Sequence, residues 1–320
     1  MLFSGTASVA SAQRNTDFRA QVIDAVLSMD EIRSQVDFLA DSICAGRATS
    51  TRGAVEASAW IVRHFDRYGL MPFGDHFVRS FAIGEKTGHN VVGIAPSSVP
   101  CDRYMIVAAH FDNLGVLSGN MYPGADSNAS GVVAMLSLAH IIRSMSVFGV
   151  AGSCNVIFVG LDAKQQNMAG ADALYDDIVK GRLVNPTTGR IVRREQIEMM
   201  VNLDVIGSTL EPVNRQRKDY LIMLGGNESH RRLLSATNYD TRSMMDLSFD
   251  YYGSPNFTDL FLNRVSDQKV FIENGVTSVL FTSGVTMLTN KQEDTADTLD
   301  IPMLYRRILL IYNWLERLMN

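Results

Sequence analysis

The chain is poor in cysteine, in net charge and in long apolar runs. Its 320 residues include three cysteines (Cys44, Cys101 and Cys154) without a CxxC pair, which excludes a disulfide-rich scaffold and a cysteine-based zinc site. A single disulfide among the three stays open. The 29 basic residues face 34 acidic ones and form no basic run, so a nucleic-acid partner has no electrostatic basis. Apolar stretches such as "VVAMLSLAHII" are too short to span a bilayer, and we expect them in amphipathic helices.

The first residues, "MLFSGTASVASAQ", are small and weakly apolar, and they end in Ala10-Ser11-Ala12. This pattern resembles the end of a secretory signal with an A-x-A cleavage site, although the positively charged start is missing. We therefore predict a signal-peptide remnant over residues 1–12 and an exported protein, with a plain irregular N-terminus as the alternative. Residues 13–320 are predicted to form one domain, since 46% hydrophobic content supports a substantial core and no linker interrupts it.

Apolar segments alternate with helical patterns along most of the chain. "YMIVAAH", "NVIFVGL" and "VTSVLFTSG" are apolar throughout, as strands buried on both faces are. Helices are indicated between them, and the C-terminal one begins with Asp300 as cap and Pro302 in its first turn. This order predicts a three-layer αβα fold around a mostly parallel, mixed central sheet.

Polar residues follow several predicted strands, where parallel sheets carry their functional groups. His110 ends one strand, Asp204 ends another, and Asp126 precedes a helix. One imidazole and two carboxylates can hold a divalent metal with a position left open for water. Asp112 is placed to accept the other ring N–H of His110. The alternative is that these residues only form turns and helix caps.

Six segments occur in an order and spacing that resemble one known family: "AAHFDNLG", "PGADSNASGV", "VIFVGLDAKQQNMAGA", "VNLDVIG", "SDQKVFIENGVTSVLF" and "TNKQEDTADTLD". This is the secreted di-zinc aminopeptidase family, which includes bacterial leucyl aminopeptidases, glutamate carboxypeptidases and, more distantly, glutaminyl cyclases. The resemblance covers roughly residues 28–318. It implies a zinc-exopeptidase-like fold and a hydrolytic site with two zinc ions.

The resemblance also implies roles for single positions. Asp126 corresponds to the bridging ligand of the two zinc ions, and His110 and Asp204 correspond to the ligands that complete one of them. The family pattern D-x-E-E falls on residues 162–165, which places Lys164 at the general base and Gln165 at a zinc ligand.

The family's last zinc-binding histidine falls on Asn290. No histidine follows His230 in this chain, so a shifted alignment does not supply one. Two of the three ligands of the second zinc are therefore neutral amides, which zinc disfavours. A protonated lysine accepts no proton, so the general base is also lost. We expect Lys164 to replace the second zinc electrostatically by an ion pair with Asp126.

These substitutions predict an aminopeptidase homologue with a degenerate site, weak or inactive as a metallopeptidase, that binds peptides or amino acids. At most one zinc ion is expected, and none is also compatible. The alternative is an active mono-metal aminopeptidase or amidohydrolase that uses His110, Asp126 and Asp204. A purely structural role is a third possibility. "MMDLSFDYYGSPNF" supplies Phe249, Tyr251, Tyr252 and Phe257, aromatic residues that line a pocket or simply pack.

Overall fold

The computed structural model describes residues 18–150, 152–209 and 216–320. The predicted signal-peptide remnant, residues 1–12, lies outside these ranges, and so the prediction stays open. Eleven strands are present in the described residues: β1 (Met71–Pro72), β2 (Val78–Ile83), β3 (Lys86–Ala95), β4 (Tyr104–His110), β5 (Gly115–Leu117), β6 (Asn120–Tyr122), β7 (Asn155–Leu161), β8 (Ile197–Leu203), β9 (Tyr220–Gly225), β10 (Asp246–Ser248) and β11 (Ser278–Thr282). The described helices are α1 (18–26), α2 (Met29–Ala40), α3 (Arg52–Arg67), α4 (Ser130–Val147), α5 (Ala169–Val179), α6 (Glu228–Asp240), α7 (Pro255–Asn263), α8 (Gln268–Glu273) and α9 (Ile301–Met319).

Nine strands form one sheet in the order β1-β3-β7-β4-β8-β11-β9-β10, with β2 paired to β3. The ladders β7-β4, β4-β8 and β8-β11 at its centre are parallel, and β9-β10 at one edge is parallel as well. The other ladders of this sheet are antiparallel. Helices cover both faces, so the predicted three-layer α/β fold with a mixed sheet is confirmed. The parallel centre brings the ends of β4, β7, β8 and β11 to one edge.

Alternate residues of the central strands face two separate cores, as the two-residue period of a strand requires. Val107 and Ala109 pack with α2, α3, α4 and α9, whereas Ile106 and Ala108 pack with α5 and α8. His110 continues the second set, because it lies two residues after Ala108 in β4. The site therefore opens on the face of the sheet that α5, α7 and α8 cover.

Helix α4 differs from the amphipathic helix that the sequence predicts. It is buried around most of its circumference, because it contacts the sheet on one side and α2, α3 and α9 on the others. The stretch Ala125–Val147 is long and apolar enough to cross a bilayer by composition alone, but 72% of its apolar window is buried inside the protein. An all-round apolar helix of this kind forms the core of a large domain.

The long elements match their predictions closely, and the short ones do not. β4 and β7 span the apolar segments that predict them, and α9 begins directly after its predicted cap, Asp300. The small β5-β6 sheet and the six-residue α8 were not expected. All three cysteines are free thiols.

Candidate active site

Three polar side chains meet at the ends of β4, β7 and β8. Lys164 Nζ donates to Asp204 Oδ2 at 2.6 Å and lies 3.1 Å from His110 Nε2. His110 Nε2 is also 3.2 Å from Asp204 Oδ1. His110 is fully buried and Asp204 nearly so, while the Lys164 side chain keeps 17% of its surface exposed. The three residues lie at one edge of the sheet, the place where the sequence analysis expects polar groups after the strands.

The partner of Lys164 is a correction to the sequence prediction. The expected ion pair with Asp126 is wrong, since the ammonium pairs with Asp204 instead. Ser266 Oγ donates to the same Asp204 oxygen at 2.7 Å. Burial alone would raise the pKa of Asp204, but the charges of Lys164 and His110 hold it well below its usual range. Asp204 is therefore a buried carboxylate that two basic groups and one hydroxyl stabilise.

Asp112 orients His110 differently from the expectation. Its backbone carbonyl is the nearest partner of His110 Nδ1, at 3.0 Å, and the carboxylate oxygen lies at 3.5 Å. That carboxylate accepts the backbone N–H groups of Lys164 and Gln165, each at 3.0 Å. Burial and Lys164 lower the pKa of His110, but the nearby Asp204 and Asp112 raise it to about 9. Asp112 thus fixes both the ring and the turn that carries Lys164.

The turn after β7 is strained. Ala163, Asn167 and Met168 have φ of 63°, 56° and 61°, a left-handed conformation that residues other than glycine rarely adopt. Backbone of this kind persists only where surrounding contacts impose it, and it concentrates at functional sites. The two hydrogen bonds to the Asp112 carboxylate supply such contacts. They aim the Lys164 side chain toward His110 and Asp204.

Asp126 is not part of this ion pair and has a separate set of hydrogen-bond partners. Its Oδ1 accepts Gly207 N–H at 2.7 Å and Ser130 Oγ at 2.9 Å, while its buried Oδ2 has no partner among the described residues. The Asp294 carboxylate accepts the backbone N–H of Asp126 at 2.7 Å. Burial, with help from the charge of Asp294, raises the pKa of Asp126 to about 7.

Replacing Asp126 by asparagine tests this raised pKa. Because the folded state favours the protonated carboxyl, its contribution to stability is fully present below the unfolded pKa of about 4 and is lost as the pH rises toward 7. The amide stays neutral at every pH, and its oxygen keeps both donors of Oδ1. We expect the advantage of D126N over the wild type in free energy of unfolding to grow by about 2–3 kcal/mol between about pH 5 and pH 8. Urea denaturation at both values measures this, with exposed Asp75→Asn as control; a pH-independent difference would contradict it.

Gln165 and Asn290, which the resemblance aligns with zinc ligands, lie on the rim. Both are exposed, and both line a cavity of ≈ 230 Å³ together with Lys164 and Asp204. The structure therefore brings the expected positions to one cavity, although neither amide is buried as a metal ligand would be. The rest of the lining consists of three hydroxyl residues (Ser127, Thr282 and Thr289) and an apolar wall of five residues (Val205, Phe261, Val265, Leu280 and Val285).

The aromatic residues singled out from the sequence do not line this cavity. Tyr251 is buried, stacks on Phe261 at 4.3 Å and accepts the backbone N–H of Val285 at 2.6 Å. Phe257 is 53% exposed beside a separate shallow depression. Tyr251 packs behind the wall of the cavity, and α7 turns Phe261 rather than Phe257 toward it.

Several residues that hold the site escaped the sequence reasoning. Buried Arg47 donates to the carbonyls of Phe111, Pro123 and Gly124, which ties the loops around His110 and Asp126 together. Asp267 is fully buried, and neither of its carboxylate oxygens has a partner among the described residues. Asp267 lies within the motif "SDQKVF", which the sequence comparison with the family had picked out. Arg47 lies among small residues, and nothing in its sequence neighbourhood indicates a role in the site.

A zinc ion does not fit the site as it stands. Across the described ranges, no three His, Cys, Asp or Glu side chains are arranged to hold a metal ion. Lys164 also stands against a metal ion here, because its ammonium contacts both His110 Nε2 and the Asp204 carboxylate. These are the atoms that the resemblance assigns to zinc. A cation already occupies their ligand directions.

The mixed sheet with helices on both faces, and with His110 and Asp204 together at the ends of its strands, defines an α/β protein whose polar site lies at the carboxyl edge of the sheet. The model of peptidase family M28 matches residues 90–314, and the chain belongs to that family. The family is the one that the sequence motifs indicate.

Individual relatives are distant. Aminopeptidase YwaD of Bacillus subtilis (strain 168) is 24% identical over 204 residues, 63% of this chain and 37% of that protein. The chain thus aligns with well under two thirds of that relative. A glutaminyl cyclase from Fimbriiglobus ruber superposes with a TM-score of 0.69 at 16% identity, covering 91% of this chain and 95% of that one. BSAP, a zinc aminopeptidase from Bacillus subtilis, gives a TM-score of 0.55 at 18% identity, covering 75% of this chain and 52% of that one. At these identities the structural likeness concerns the fold.

Proposed function

We propose that this chain is an M28-family protein that has exchanged zinc chemistry for a fixed internal cation, and that it is weak or inactive as a peptidase. The observation that carries the proposal is the contact of Lys164 Nζ with both His110 Nε2 and Asp204 Oδ2. An ammonium in this position adds to His110 as a counter-charge of the buried Asp204 carboxylate. It cannot activate a water molecule as a metal ion or a general base does.

A cavity lies directly beside Lys164. Its polar rim of Gln165 and Asn290 and its apolar wall suit a short peptide or an amino-acid derivative. We therefore propose that the cavity binds a peptide but does not cleave it, because the general base and two zinc ligands of the family are replaced at Lys164, Gln165 and Asn290. The relatives named as aminopeptidases support peptides as the ligand class.

Metal content and turnover of the purified chain test the proposal together. We expect less than one tenth of a zinc ion per chain after dialysis, and no hydrolysis of leucyl-anilide above background with or without added zinc. A stoichiometric zinc ion with measurable turnover would contradict it. That result would favour the mono-metal hydrolase, for which the unpartnered Oδ2 of Asp126 is the supporting observation.

We further propose export of the protein, which the segment Ala10-Ser11-Ala12 supports. N-terminal sequencing of the protein recovered from its native cells tests this. A mature chain that begins at Gln13 is the expected result, and an intact N-terminus in the cytoplasmic fraction would contradict it.

A further inference from the structure

A second cavity adjoins the first, and Gln165 lines both of them. The second cavity measures ≈ 480 Å³ and lies between the loop at residues 45–53 and the β5-β6 sheet. Gln165 is exposed and uncharged, and it is the residue that belongs to the lining of both cavities. Thr49 Oγ1 bonds Gln166 Oε1 at 2.9 Å and so fixes the wall of the second cavity next to Gln165.

The two cavities differ in chemistry. The first has the apolar wall described above. The second is lined by Arg52 and Lys86, and no acidic side chain of the described residues lines it. Val116 and Leu117 form its outer edge, and they are 52% and 48% exposed. The first cavity thus has no net charge, since Lys164 and Asp204 form an ion pair, whereas the second carries two positive charges beside apolar residues.

The cations of the second cavity are available to a ligand. Arg52 has one carboxylate near it, Glu56, at 3.7 Å on an exposed helix surface where the Arg52 side chain is 91% exposed. An exposed pair of this kind contributes little free energy, so a ligand carboxylate displaces no strong partner. Lys86 begins β3 and is exposed as well. Arg52 and Lys86 line the same cavity, and both side chains donate charge-assisted hydrogen bonds to carboxylates.

We infer that the cleft binds short peptides in which an apolar residue is followed by a carboxylate, with the apolar side chain in the first cavity and the carboxylate at Arg52 and Lys86. The inference rests on the proposed retention of a peptide-binding cleft and names its ligand class. The carboxylate can come from an acidic side chain or from the C-terminus of a dipeptide. Both present the same group one residue after the apolar one.

Calorimetric titration of the full chain with matched peptides tests the inference. Acetyl-Leu-Glu-amide carries the carboxylate on its side chain, acetyl-Leu-Ala carries it at the C-terminus, and acetyl-Leu-Gln-amide is the neutral match of the first. We expect at least one of the two anionic peptides to bind about fivefold to tenfold more tightly than the neutral one at low salt, and the ratio to shrink as salt screens the contact. The stronger of the two identifies the source of the carboxylate.

The variant Arg52→Glu with Lys86→Glu is expected to abolish this preference, because it weakens binding of the anionic peptides more than binding of the neutral one. Arg63→Glu with Lys218→Glu gives the same change in net charge at exposed positions outside both cavities, and it should keep the preference. Equal affinity for all three peptides, equal effects of the two double variants, or no binding of any peptide would overturn the inference. None of these results bears on zinc content and turnover, which test the proposed function separately.

Discussion

Replacing Lys164 by methionine is expected to lower the free energy of unfolding by about 2–3 kcal/mol at pH 7 in metal-free buffer. The substitution keeps the length of the side chain and removes the charge that pairs with Asp204 Oδ2 at 2.6 Å. Among the described residues, the partners left to this carboxylate, which is 8% exposed, are His110 and Ser266. Removing one member of a buried ion pair costs about 3–5 kcal/mol, and the partial exposure of Lys164 reduces this range. Urea denaturation measures the difference.

The matched control is Lys180→Met, which removes an ion pair of the same length on an exposed helix surface. Lys180 Nζ lies 2.6 Å from Asp176 Oδ2, with both side chains about half exposed, so the expected loss is under about 0.5 kcal/mol.

The pH dependence of the stability loss is a second test of the ion pair between Lys164 and Asp204. Because the pKa of Asp204 is lowered, its contribution to stability is present above about pH 4 and is lost as the pH falls below that value. The gap between wild type and K164M should therefore narrow in acid, and equal losses for the two lysines would contradict the role of Lys164.

The fold is largely readable from the sequence, for a simple physical reason. Strands β4 and β7 are buried on both faces, so their residues are apolar or small except for His110 and Asn155 at the strand ends, and this leaves a nearly unbroken signal. The six-residue α8 and the β5-β6 sheet depend on contacts with distant segments rather than on their own periodicity. Helix α4 shows the limit in the other direction. Its apolar residues predict burial, but only the positions of α2, α3 and α9 decide that it is buried all round.

The contacts of the candidate site are likewise predictable only in part. The order of the strands predicts that His110 and Asp204 meet, since parallel neighbours end at one edge. The choice of Asp204 over Asp126 as the partner of Lys164 depends on the conformation of a strained turn. That turn is held by the Asp112 carboxylate, and Gly207 and Ser130 already satisfy one oxygen of Asp126. Hydrogen bonds between side chains and the backbone of distant loops leave no pattern in a single sequence.

The triple variant Lys164→Glu, Gln165→Glu and Asn290→His is expected to bind two zinc ions per chain and to hydrolyse leucyl-anilide at least about a hundredfold above the wild type. It removes the ammonium from His110 Nε2 and Asp204, and it places two carboxylates and an imidazole around the cavity that residues 164, 165 and 290 already line. Residue 290 has a φ of 60°, a conformation in which Asn and His are both enriched, so the backbone accepts the change. Zinc content by atomic absorption and anilide hydrolysis with added zinc are the measurements.

Two companion variants decide what the triple variant means. Adding Asp126→Asn removes the shared ligand, and it should reduce bound zinc to at most one ion and return hydrolysis to background. Lys164→Met alone frees His110 and Asp204 without supplying a base, so it should gain zinc affinity but no turnover. If the triple variant binds zinc and still fails to hydrolyse the anilide, the cleft rather than the metal site has diverged. If it binds no zinc, Lys164 is not what excludes the metal, and the internal-cation explanation of this site is wrong.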